Sequence, residues 1–178
     1  MSGMALDGFD RKILQELQAA GRLTNVELAE KVGLSPSPCL TRVRRLEEQG
    51  VIGGYVALVN AEELGSLVSV FIQITLEVQS EHALEVFERT VTAMPEVMEC
   101  YLMSGDSDYL LRVVVSDTVA LRNFILDKLT KTPGVANIRS SFALKQVKYK
   151  TALPLNELWV DLFTGTAKST KSQRKPRK

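Results

Sequence analysis

The 178 residues predict an α+β chain built as two domains. Three observations carry that expectation. Up to about Gln49, apolar residues recur every three or four positions, in short runs punctuated by helix-start residues. From Val68 onward apolar and polar residues alternate by two. A helix that ends in a proline and passes straight into a strand then occurs twice, at Met94-Pro95-Glu96-Val97 and at Thr132-Pro133-Gly134-Val135.

The elements follow in order. Leu6, Phe9, Ile13 and Leu17 share one face of a first helix, which Asp7 is placed to cap and Gly21 ends. Thr24 stands three residues before Glu27, the spacing of a capping box, and opens a second helix carrying Val26, Leu28, Ala29 and Val32. Gly33-Leu34-Ser35 makes a tight turn. Ser35 is a good cap for a third helix, and Pro36 suits its first position, where a missing N–H costs nothing. Cys39, Val43 and Leu46 line one side of that helix, and Gly50 closes it. Val51 to Asn60 reads as extended, bent at Gly53-Gly54, and Ala61 to Gly65 as a linker.

Val68 to Val78 then forms a long strand with one buried face. Leu84, Phe87, Val91 and Met94 mark a helix, and Val97 to Ser104 a strand. The turn Gly105-Asp106-Ser107 leads to a strand from Asp108 to Ser116. A helix carries Leu121, Phe124, Ile125 and Leu129, and a last strand runs roughly from Ala136 to Tyr149. The order β-α-β-β-α-β is the ferredoxin-like split unit, a sandwich of one antiparallel sheet and two helices. Two helices cover only one side of such a sheet. Its other face, with Phe71 and Phe142, is expected against another subunit. Expected boundaries are 1–60 for the helical domain, 61–163 for the sandwich and 164–178 for a disordered basic tail.

Net charge is +1, but it is divided unevenly. Residues 1–60 balance to zero, 61–163 to −5 and 164–178 to +6. A basic tail behind an acidic domain suggests a polyanion partner. The uncharged run 64–76 is too short for a bilayer, which needs about 20 apolar residues, so no membrane partner is expected. No basic, apolar leader opens the chain, which reads as cytoplasmic. Cys39 and Cys100 are expected as free, core-facing thiols. No metal-ligand spacing, phosphate loop or dinucleotide fingerprint is present. His82 stands alone, and Asp106 with Asp108 make an incomplete cation site. No enzyme, metal or cofactor is therefore expected.

Two short helices joined by a three- to four-residue turn describe a helix-turn-helix, winged-helix-like in its setting. Opposite Cys39, Val43 and Leu46, the third helix carries Ser37, Thr41, Arg42, Arg44 and Arg45. Small hydroxyl residues permit close approach to base edges, and arginines grip guanine edges or phosphates in pairs of bonds. Ser35 and the helix start can hold a phosphate. Double-stranded DNA is thus the expected partner. In the second domain, Gly105 lets backbone N–H groups meet a ligand carboxylate, while Asp106 or Asp108 offers an acceptor to an ammonium. Tyr109, Met103, Ser140 and Ser141 complete the candidate effector site.

Leu6-Asp7 with Asp10-Arg11-Lys12-Ile13-Leu14, Asn25-Val26-Glu27-Leu28-Ala29, Gly33-Leu34-Ser35-Pro36-Ser37-Pro38-Cys39 and Arg42-Val43-Arg44-Arg45-Leu46-Glu47 resemble the Lrp/AsnC family of leucine-responsive, "feast/famine" regulators. Gly50-Val51-Ile52, Gly54-Tyr55 and the run to Asn60 resemble its connecting strand, and Ser104 through Leu111 its effector-domain turn. The resemblance covers about residues 6–155. It implies a sequence-specific, nucleoid-associated transcription regulator whose third-helix arginines contact DNA. It further implies dimers that assemble, commonly to octamers, and an effector such as leucine or another small amino acid bound between them. Ser140 and Ser141 would face that cleft from a neighbouring subunit. The alternative is an architectural protein that wraps DNA without a specific effector.

Overall fold

The computed structural model describes residues 6–60, 63, 65 and 67–155; the expected basic tail lies outside them. The chain divides into two compact units. One takes in residues 6–57 and 149–155, the other residues 58–148.

The first unit is a three-helix bundle: α1 (Gly8–Ala19), α2 (Asn25–Val32) and α3 (Pro36–Glu48). Its caps explain its boundaries. Asp7 Oδ1 accepts the N–H groups of Phe9 and Asp10, and the Asp10 carboxylate accepts the Asp7 N–H in return. Thr24 and Glu27 make the expected reciprocal box. Gly33 ends α2 at φ 76°, a left-handed geometry costly to a residue with a Cβ, and its N–H and that of Leu34 both reach the Ala29 carbonyl. Ser35 occupies the cap position of α3, but its side chain makes no capping bond, so its hydroxyl is not spent on the helix.

Ile13, Leu14, Leu28, Ala29, Val32, Cys39 and Leu46 form the core of this bundle. The segment after α3 closes it: the N–H groups of Val51 and Ile52 both bond the Leu46 carbonyl. Among the described residues, no strand ladder forms over Val51 to Asn60. Leu155 joins this core, and the Gln18 amide brackets the backbone of Leu153 with bonds of 2.6 and 3.3 Å. The last described residues thus belong with the helices.

The second unit contains β1 (Val68–Leu76), α4 (Glu81–Thr92), β2 (Val97–Leu102), β3 (Tyr109–Val115), α5 (Thr118–Asp127) and β4 (Val135–Phe142). The sheet is antiparallel with order β2-β3-β1-β4, as expected for the ferredoxin-like split unit. Alternation along β1 and β3 turns Val70, Ile72, Ile74, Leu76, Tyr109, Leu111, Val113 and Val115 toward Phe87 and Val91 of α4 and Leu121 and Phe124 of α5. Phe87 and Tyr109 stack at 4.5 Å between ring centroids.

Four sequence expectations need correction. The last strand stops at Phe142 rather than Tyr149, because its partner runs out: the final bond is Ala143 N–H to the Ser69 carbonyl, at the start of β1. The helix expected to reach Leu129 ends at Asp127 and continues as a 3₁₀ turn over Leu129–Lys131, ahead of a proline that disfavours helix in the residue before it. Phe71 and Phe142 do not share a face. Phe142 pairs with Val70, whose side chain enters the core, whereas Phe71 pairs with Ser141 on the open side. Cys39 is buried, but Cys100 is exposed on the edge strand β2.

Candidate functional site

On α3, one stripe faces outward. Ser37, Leu40, Thr41, Arg44 and Glu48 are exposed at spacings of three and four, opposite buried Cys39 and Leu46. Ser35 is exposed at the N-cap of α3 with its hydroxyl making no capping bond, beside the turn that joins α2 to α3. Asn25, the first residue of α2, donates its amide to the Pro36 carbonyl at 2.8 Å and so fixes how α3 leaves the turn. Thr41 donates its hydroxyl to the Ser37 carbonyl at 3.1 Å.

Arg42 and Arg45 are placed differently from the expectation of a free polar face. Arg42 Nη1 donates to Asp7 Oδ2 at 2.6 Å and to Asp10 Oδ1 at 2.8 Å, with its guanidinium 5.4 Å from the centre of the Phe9 ring. Arg45 Nη2 donates to Asp10 Oδ2 at 2.6 Å. The Asp10 side chain is only 1% exposed. A carboxylate taken out of water needs charged partners, and these two arginines supply them. The cluster therefore ties α1 to α3. Of the three predicted arginines, Arg44 is exposed and stands outside this cluster.

Sequence reasoning recognised Asp7 as a cap and missed Asp10. The signal was available in part: Asp10 stands three residues after a capping aspartate, the spacing of a capping box. The Asp10 N–H leads the causes that hold the Asp7 carboxyl below the usual carboxylate range, and Arg42 adds to it. At the far end of α3, Tyr55 donates its hydroxyl to Glu47 Oε1 at 2.9 Å. Burial, then the Glu47 carboxylate, push that phenol up to about 12.

In the second unit, the predicted turn joins β2 to β3. Gly105 has φ 135°, a conformation that favours glycine, and open space lies where a Cβ would stand. Met103, Gly105 and Asp106 are exposed there. Asp108 is not an accessible acceptor, as the sequence reading allowed. It is buried, its Oδ2 takes the Leu76 N–H at 2.7 Å, and its Oδ1 takes the Gln79 amide at 2.6 Å. Its own N–H bonds the Ile74 carbonyl, so Asp108 seals the end of the β1–β3 ladder. Tyr109 is 1% exposed and donates to Glu88 Oε1 at 2.8 Å.

Ser140 and Ser141 are exposed, yet successive strand residues point to opposite faces. Ser140 pairs with Ile72 on the helix side, and Ser141 pairs with Phe71 on the open side. The open face also carries Gln73, Arg139 and the ion pair of Arg112 with Glu99 at 2.7 Å. Among the described residues, no group of three metal-ligating side chains converges, and no helix is long and apolar enough to cross a membrane.

The two units match two family models. Residues 6–52 match a winged helix-turn-helix DNA-binding domain, and residues 69–153 an Lrp/AsnC ligand-binding domain. The Bkd operon transcriptional regulator of Pseudomonas aeruginosa is 49% identical over 150 residues, 84% of this chain and 98% of that protein. The leucine-responsive regulatory protein of Escherichia coli K12 is 46% identical over 151 residues, 85% of this chain and 92% of the relative. A solved transcriptional regulator from Neisseria meningitidis, in complex with L-Met, superposes with a TM-score of 0.81 at 45% identity, covering 86% of this chain and 99% of that one.

Proposed function

The chain belongs to the Lrp/AsnC family of DNA-binding transcription regulators, and we propose that it reads a specific operator with α3 and adjusts that binding to a small amino acid. The observation that carries the first part is the exposed stripe of α3. Ser37, Thr41 and Arg44 share an accessible side of a helix whose N-terminus, with Ser35 exposed at the cap, follows a tight turn. Backbone N–H groups and Ser35 suit a phosphate there, and Arg44 suits a guanine edge or a second phosphate. Arg42 and Arg45 contribute charge to the same side while bound to Asp10.

The effector reading rests on the turn between β2 and β3. Backbone N–H groups around Gly105 meet the ligand carboxylate, Asp106 meets the ammonium, and Met103 meets an aliphatic side chain. Asp108 and Tyr109 support the turn from beneath. Leucine and methionine are the effectors of choice, the second because the Neisseria relative holds L-Met. The turn completes its cleft against another subunit, so the working form is a dimer or a larger assembly, up to an octamer. It acts on the nucleoid, in the cytoplasm.

A gel-shift titration on a candidate promoter, repeated with each common amino acid, tests both parts. Arg44→Ala should weaken specific binding by about 1–3 kcal/mol, the worth of a bidentate arginine–guanine pair. Wild-type affinity in that variant removes α3 from the reading role. DNA binding that no amino acid alters leaves an architectural wrapping protein, the reading that the +6 charge of residues 164–178 favours.

A further inference from the structure

A leucine stands on the reading stripe of α3. The helix buries Cys39 and Leu46, and Val43 is partly buried against the same core. Leu40 is 37% exposed and lies on the outward side, between Ser37 and Arg44. Its neighbour Thr41 has spent its hydroxyl proton on the Ser37 carbonyl, so it has no donor left for a base edge. What it retains is an acceptor lone pair and a methyl. The nearby arginines do not compete for this spot: Arg42 is held by Asp7 and Asp10, and Arg45 by Asp10. The centre of the stripe is thus apolar, with hydroxyls and Arg44 around it.

In the major groove only one base presents an apolar group. Thymine shows its C5-methyl there, while guanine, cytosine and adenine show donors and acceptors alone. Resting on the reading that α3 enters the groove, we infer that Leu40 is a specificity-determining contact for a thymine methyl in each half-site. Arg44, one turn further along the same side, then reads the neighbouring base pair or its phosphate. Leu40 contributes by excluding water from the methyl, a term proportional to the apolar area buried.

The test uses the full chain and an operator selected from a random duplex library. Each thymine is replaced in turn by deoxyuridine, which removes one methyl and leaves base pairing intact. At one symmetric pair of positions, affinity should fall about fourfold per methyl, the value of one buried methyl-sized group. Leu40→Ala should bind the thymine and uridine operators equally, and its selected sites should lose the thymine preference there. Because Leu40 is outside the core, the variant should melt with the wild type; Leu40→Gln provides a second variant with a similar stem. Wild-type protein insensitive to every uridine, or Leu40→Ala still favouring thymine, overturns the contact. Selection of no sequence at all overturns the prior reading that α3 reads bases, and the contact with it.

Discussion

At the residue scale, the decisive side chain is one that sequence patterning hid. Asp10 is buried and charged, and its two oxygens are shared between Arg42, Arg45 and the Asp7 N–H. A hydrophobic stripe in sequence shows which apolar residues point inward. It does not show a carboxylate that three partners pull inside, which is why all three arginines read as DNA contacts and Asp10 carried no structural role. Arg42→Ala should therefore cost about 1–3 kcal/mol of stability, since it strips a buried carboxylate of a charged bond. Urea unfolding of the variant checks this, and an unchanged midpoint would refute it. The Asp7 carboxyl adds a pH dependence. Its folded-state value lies below the ordinary one, so its stabilisation is complete above about pH 4 and is lost as pH falls through the depressed value. Asp7→Asn should flatten the acid limb of a stability–pH curve below about pH 4, where the wild type loses this contribution. Asp108 repeats the lesson in the second unit. Asp108→Ala leaves the Leu76 N–H buried and unpaired, at about 1–3 kcal/mol, whereas Asp106→Ala should leave stability unchanged.

At the element scale, the turn between α2 and α3 determines what DNA can meet. Gly33 in its left-handed conformation and the Thr24–Glu27 box fix both ends of α2, and Asn25 anchors the start of α3. Gly33→Ala should destabilise by about 1 kcal/mol, the strain of a Cβ at positive φ. Thr24→Ala should cost about 0.5–2 kcal/mol through the lost cap. Thermal melting of both variants measures these effects, and wild-type melting in both would show that the caps do not hold the bundle. Caps of this kind are legible because Thr24, Glu27, Gly33 and Pro36 act over three or four residues, and so is the alternation of β1 and β3. Strand ends are not legible in that way. β4 stops where β1 begins, seventy-odd residues earlier in the chain, and only the register shows it. The same register separates Phe71 from Phe142 and Ser140 from Ser141, a distinction set by parity across a ladder rather than by composition.

At the scale of the whole molecule, the proposed function couples ligand to DNA through the geometry of an assembly. On the proposed function, an amino acid held at the Gly105 turn should change DNA affinity by favouring one arrangement of subunits over another. The open sheet face supplies a surface for such an arrangement, with Phe71 37% and Tyr101 51% exposed on it. Phe71→Glu should shift the sedimenting species to smaller assemblies at micromolar concentration, and an unaltered distribution would place the contact elsewhere. The coupling that follows has a fixed form. Ligand should alter operator affinity by about 1–3 kcal/mol, and operator should alter ligand affinity by the same factor, because both complete one thermodynamic cycle. The turn variant that isolates this is Asp106→Ala, since Asp106 is exposed and makes none of the ladder-sealing bonds of Asp108. It should lose the amino-acid response while keeping wild-type affinity for the operator and wild-type assembly without ligand. Gly105→Val tests the backbone approach but also strains a φ of 135°, so its stability must be measured beside its response. Titration calorimetry with leucine and methionine, with and without operator, gives both arms of the cycle. A response that survives Asp106→Ala moves the ammonium site to another carboxylate. A factor of one in both arms would uncouple the ligand from the state that binds DNA and leave the architectural reading.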